Sequence, residues 1–307
     1  MGAMTRRTVV AWNDSVESRT ALAWAADRAG HAPAGQEVVL VRVLDEVSLI
    51  PGTTIGPEDF DAARRNVDDA ARLMARERPD ARVSSQIVIG DVLNALRRYT
   101  DPETLVVVGT QARTYPHFRF AWSIGARLAA TALGPVAIVP RHVTGDRSTV
   151  VAGIDGSATS TRAALFAAAE ARLRGVPLHL LHVWLEPPVW QADYAYDDDS
   201  LTILSRDHET IVRDTARVVE RNFPDLAVTA ETVRGPTART LLDASPLPEL
   251  VVVGCRSRSA MNRLVLGSAS HELVLNLDVP VIVVSDRVHD FPVENEPATA
   301  QTAGGPS

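Results

Sequence analysis

No lysine occurs anywhere in the 307 residues, so all 31 basic side chains are arginines. That excludes a Walker-type phosphate-loop lysine, a Schiff-base lysine and the lysine of a kinase site. Cysteine is nearly as scarce. Cys255 stands alone, so no intrachain disulfide can form, and a structural zinc would need an unusual set of His and carboxylate ligands. A reducing compartment fits that usage. Long apolar runs are missing as well. The N-terminal MGAMTRRTVV leads straight into a β-like segment without the apolar core of a signal peptide, and the uncharged stretch between Arg127 and Arg141 is shorter than the ~20 residues a spanning helix needs. The expected location is cytoplasmic, away from membranes. Positive charge is also in deficit: a net charge of −7 gives no general attraction to nucleic acid or an anionic bilayer.

The chain does contain ample core-forming material. Hydrophobic residues make up 46% and charged residues 22%, the balance of a soluble globular protein, and the length exceeds one ordinary domain. The sequence is written twice. Val9-Val10-Ala11 with Asp14-Ser15 returns as Val150-Val151-Ala152 with Asp155-Gly156-Ser157, an offset of 141 between the aspartates. Leu105 to Gly109 returns as Leu250 to Gly254, and Pro135 to Val139 as Pro280 to Val284, both 145 apart. A period of that size is a domain rather than a solenoid unit.

In each copy short β-branched runs alternate with helical patterns. Strands are expected near 8–12, 37–44, 83–89, 105–109 and 135–139, then near 149–154, 177–184, 228–234, 250–254 and 279–284. Nearly continuous apolar runs suit strands buried on both faces of a parallel sheet. The expected architecture is α/β: two tandem, doubly wound, five-stranded Rossmann-like sandwiches at 5–141 and 148–285. Residues 286–307, rich in Pro, Gly and acid, read as a disordered tail. Strand 5 of each copy is apolar on both faces and ends its sheet, so it should be covered. Edge-to-edge pairing of the two copies into an intrachain pseudo-dimer does this economically, and a true homodimer is compatible with it.

Ligands of open α/β sheets sit at the carboxyl ends of the strands. There the second copy places Asp155-Gly156-Ser157, Gly254 and, ten residues after Ser257, Gly267-Ser268-Ala269-Ser270 opening an apolar helix. A glycine, two hydroxyls and first-turn N–H groups at the positive end of a helix dipole outline an anion site, with Arg256 and Arg258 nearby. A turn at Gly254 and a cap at Gly267-Ser268 would account for the same residues without any ligand.

Taken together these residues resemble the universal stress proteins, whose ATP-binding members carry G-x2-G-x9-G-[S/T] after the fourth strand and an Asp ending the first. This chain reads Gly254-Cys255-Arg256-Ser257, nine residues, then Gly267-Ser268, with Ser257 replacing the second glycine. The resemblance implies ATP as the ligand, with or without magnesium. It places Asp155 on adenine or ribose, the Val183 backbone on the adenine edge, and Val253 and Gly254 beside the ribose. Ser257, Gly267, Ser268, Ala269 and Ser270 would surround the phosphates. In the first copy Asp14 and Gly109 answer to Asp155 and Gly254, but Ala112 and Trp122 replace the later glycines. The indole is expected to block that pocket, leaving ATP mainly in the second domain.

No catalytic set stands out. His271-Glu272 lacks a second His at the metalloprotease spacing, no G-x-S-x-G elbow or G-x-G-x-x-G turn occurs, and His182 reads as a satisfied core histidine. Cys255 reads as a small residue tolerated beside a turn rather than as a reactive thiol. The loops Asp45 to Pro57 and Glu186 to Ser200 lie on the ligand edge, the second as a candidate lid or docking segment. The expected function is a nucleotide-responsive stress or regulatory protein acting on a protein partner. A slow ATPase in the same cleft and a nucleotide-free scaffold are the alternatives.

Overall fold

The computed structural model describes residues 5–45, 55–110, 123–142, 147–185, 198–244, 246–255 and 268–286. The chain runs β1 (Arg7–Trp12), α1 (Val16–His31), β2 (Glu37–Leu44), α2 (Pro57–Glu77), β3 (Arg82–Ile89), α3 (Val92–Arg97), β4 (Thr104–Thr110), α4 (Ile124–Thr131) and β5 (Val136–Pro140). The second copy repeats the order as β6 (Thr149–Gly153), α5 (Ala158–Arg174), β7 (Leu178–Trp184), α6 (Asp198–Asn222), β8 (Val228–Arg234), α7 (Thr237–Leu242), β9 (Pro248–Cys255), α8 (Ser268–Asn276) and β10 (Val281–Ser285). Every expected strand is present. Most of the linker and the tail from residue 287 onward lie outside the described residues.

All ten strands form one sheet in the order β3-β2-β1-β4-β5-β10-β9-β6-β7-β8. Pairing is parallel within each copy and antiparallel where the copies meet, with Ile138 opposite Val281, Ala137 opposite Ile282 and Val136 opposite Val283. This is the edge contact that the doubly apolar fifth strands required. Both strands are buried along their whole length, because each supplies the other with backbone partners and helices cover both faces. The exposed edges of the sheet are β3 and β8, whose alternating or largely exposed burial patterns suit strands with one neighbour.

Several helix starts are set by side-chain caps. Ser15 accepts from the Ser18 amide, Ser157 from that of Ser160 and Ser123 from that of Ala126, each satisfying one of the orphan donors of a first turn. Helix α5 ends on Gly175 in the left-handed region at φ 70°, where glycine carries no steric penalty. Two apolar clusters fill the layers on opposite faces of the sheet, and each draws residues from both copies. Among the described residues no helix is long and apolar enough to cross a membrane.

Candidate functional site

In the second copy β6 lies between β9 and β7. The chain leaves β6 toward β7 on one side and returns to β9 on the other, so the crevice between the carboxyl ends of β6 and β9 is the topological switch point. Asp155 follows β6 at that edge and is exposed. Its Oδ1 accepts from the Ser157 amide at 3.0 Å while its own amide donates to Ser160 Oγ at 3.2 Å, and Gly156 turns the chain at φ 79°. This Asx turn fixes the carboxylate relative to the first turn of α5.

Opposite it, Val253 and Gly254 lie near the end of β9, with Val253 in register with Gly153 and Val283. A Cβ on Gly254 would lie 3.0 Å from the Thr159 carbonyl oxygen, so this glycine lets α5 cross the strand closely. Helix α8 begins at Ser268 and Ala269, whose amides are among the first-turn N–H groups without intrahelical acceptors. Ser270 is buried, and its hydroxyl donates to the Gly254 carbonyl at 3.2 Å. That bond ties the start of α8 to the end of β9, a positioning task the motif alone did not reveal. Val183 lies near the end of β7, half-buried and paired with Val233. The described site residues therefore share one sheet edge. Ser257 and Gly267 lie outside the described residues, as do Arg256 and Arg258.

Beneath Asp155 lies a ring stack. His182 Nδ1 donates to the Ile154 carbonyl at 2.7 Å, and its Nε2 is 2.8 Å from Nδ1 of His208 on α6. The His208 ring stacks on Trp184 with centroids 4.5 Å apart. His182 is thus a satisfied core histidine. Burial, reinforced by the neighbouring His182, holds His208 below the ordinary imidazole pKa despite the opposing charge of Asp207. Sequence spacing gave no sign of this partnership, since the two histidines are 26 residues apart on different elements.

The first copy corrects one expectation. Ser15 and Ser157 cap equivalent helices and lie 142 residues apart. The close crossings agree: Gly109 meets the Glu17 carbonyl as Gly254 meets Thr159. The residue equivalent to Asp155 is therefore Asn13, not Asp14. Asn13 Oδ1 accepts from Ser15 N at 3.1 Å, matching the Asp155 turn. Asp14 instead occupies the place of Gly156, at φ 66°, and ties down the elements around it. It pairs with Arg19 at 2.7 Å and accepts from Asn66 of α2 at 2.9 Å; the Arg19 bond holds its carboxyl below the usual range.

At this edge a cavity of about 430 Å³ is lined by residues including Trp12, Asn13, Ser15, Arg42, Asp45 and Gly109. Trp122, the residue expected to close it, lies outside the described residues, as does Ala112. So do residues 46–54 and 186–197 of the two edge loops; Asp198 to Ser200 open α6. Cys255 is buried at the end of β9, as its structural reading required. Among the described residues no cluster of three His, Cys, Asp or Glu is placed to hold a metal.

The model of the universal stress protein family matches the chain twice, over residues 4–140 and 147–285. The chain belongs to the universal stress protein family. Two universal stress proteins of Mycobacterium tuberculosis are similar along almost the whole chain. One is 27% identical over 304 residues, covering 90% of this chain and 93% of that one. The other is 28% identical over 291 residues, with 90% and 95% covered. A universal stress protein from Archaeoglobus fulgidus has the same fold, with a TM-score of 0.62 at 18% identity over 92% of this chain and 98% of that one. The fold also matches the cytoplasmic domain of a prokaryotic cation chloride cotransporter, at TM-score 0.51 and 14% identity over 94% and 98% of the two chains.

Proposed function

We propose that this universal stress protein binds ATP in its second copy and acts as a nucleotide-responsive regulator, occupancy altering a surface read by another protein. The observation that carries the reading is that an exposed Asp155 and the start of α8 lie at one switch point. A carboxylate accepts from ribose hydroxyls or the adenine amine, and first-turn amides receive phosphate oxygens. The donor chemistry of the described residues fits that ligand. Magnesium would enter on the triphosphate, offsetting the repulsion between its charge and the Asp155 carboxylate.

The first copy presents Asn13 where the second presents Asp155, which favours unequal halves. An amide offers one acceptor oxygen and an NH2 donor in place of two charged acceptors. Calorimetric titration of the full chain with MgATP tests this. One strong site is expected, and Asp155→Asn should weaken it about 10- to 100-fold, the range for losing a charge-assisted hydrogen bond. Unchanged affinity in Asp155→Asn, together with loss of affinity in Asn13→Ala, would move the nucleotide to the first copy.

A further inference from the structure

Helices α1 and α5 flank the β5–β10 junction on the same face of the sheet, one from each copy. In the 142-residue register set by the caps, Arg28 of α1 and Glu170 of α5 are the same position. They touch each other. Arg28 Nε lies 3.0 Å from both Glu170 oxygens and Nη2 lies 2.6 Å from Oε1, with the side chains 1% and 3% exposed. The remaining guanidinium donors reach Thr5 at 2.9 Å and Thr8 at 3.4 Å. On the other side Arg174 sits 3.8 Å from Glu170 and 3.5 Å from Glu249. Arg174 also crosses to the first copy, 3.7 Å from Asp27 and over the Trp24 ring at 5.2 Å. Ala32 holds its place in that copy.

A position near an approximate two-fold axis meets its own image. Were two first copies to pair through β5, two guanidiniums would meet in a dry interface; were two second copies to pair, two carboxylates would. Buried like charges at that separation lack compensation, whereas the observed pair has its opposite charge and further hydrogen bonds.

We infer that the 28/170 position is a pairing code, which matches each first copy to a partner domain bearing a carboxylate there and excludes like-with-like assembly between copies of the chain. The partner it fits is the chain's own second half. Each half is thereby kept from using its fifth strand to recruit an identical half from another molecule.

Full-length chains carrying Arg28→Glu, Glu170→Arg or both test the code. Each single change places like charges in contact, so its denaturant midpoint should fall or the folded chain should be lost. The exchanged pair should recover more than half of the midpoint lost by the weaker single variant. A loss in the exchanged chain as large as the two single losses added together would overturn the inference. An uncharged chain with Arg28→Met and Glu170→Leu keeps the buried volume and removes the code. It should fold, yet light scattering should find multimers rising with concentration that the wild type lacks. A size distribution matching the wild type at every concentration would show that the pair does not govern partner choice.

Discussion

A single methyl group measures how closely the first helix of each copy crosses its fourth strand. At Gly254 an added Cβ would meet the Thr159 backbone at 3.0 Å, and at Gly109 the Glu17 carbonyl oxygen at 2.1 Å. The first contact needs a small give; the second forces backbone apart. Gly254→Ala should therefore destabilise by about 1–3 kcal/mol, the usual cost of overpacking, and Gly109→Ala by more, as read from urea midpoints. The same glycines were the sequence's clearest marks of a ligand edge, and helix packing alone explains them. Asp14 shows the opposite error. An aspartate one position late looked like the partner of Asp155, because Val9-Val10-Ala11 matches Val150-Val151-Ala152 at an offset of 141 rather than 142. The caps at Ser15 and Ser157, whose hydroxyls accept from the amide three residues on, separate them, and the helix crossings at Gly109 and Gly254 agree.

Protonation acts on this residue chemistry in a defined direction. His208 has a folded pKa held below its ordinary value of 6.5, by burial first and then by His182. The unfolded chain then takes up the proton first as pH falls. Stability associated with neutral His208 is present above about pH 6.5 and is lost on acidification through the lower folded value. His179 shifts the same way by burial, against the pull of Glu231. Unfolding midpoints measured between pH 8 and 5 should therefore decline below about 6.5. His208→Gln should flatten that decline without abolishing it, since His179 remains.

Strands and helices were legible because their burial leaves a simple trace: β-branched runs for strands buried on both faces, helical spacing between them. Helix α5 is the instructive case. Eleven of its residues are buried, from Thr159 to Ala171, because it packs on its own sheet while reaching the junction between copies. Its Ala-rich sequence, with apolar residues nearly all round, leaves no polar stripe to announce which face meets which neighbour. Nothing in that pattern marks Glu170 as buried, though it is 2% exposed. The cap at its start can be tested. Ser157→Ala removes the acceptor for the Ser160 amide and should cost about 1 kcal/mol. It also frees the turn holding Asp155, so ATP affinity should fall with it; unchanged affinity in a destabilised variant would separate the cap from the site.

The continuous sheet makes the two copies one cooperative body. Strands β5 and β10 pair at the centre of the sheet, and both apolar clusters run through the junction, so neither copy can unfold without exposing an apolar strand edge of the other. Calorimetry should give a single transition whose calorimetric and van't Hoff enthalpies agree. Ile138, fully buried, paired with Val281 and packed against Gly125, is a direct probe. Ile138→Ala should cost about 2–5 kcal/mol by leaving a cavity, moving the whole transition instead of splitting off the first copy. Coupling also carries ligand energy across the junction. ATP held by the second copy at a hundred times its dissociation constant should stabilise the folded chain by about 2.7 kcal/mol. Because the body is cooperative, amide exchange in β1 and β2 of the first copy should slow along with that in β6 and β9. Slowing confined to the second copy would mean that the halves open independently despite their shared sheet, and would remove the route by which nucleotide occupancy could reach a distant surface.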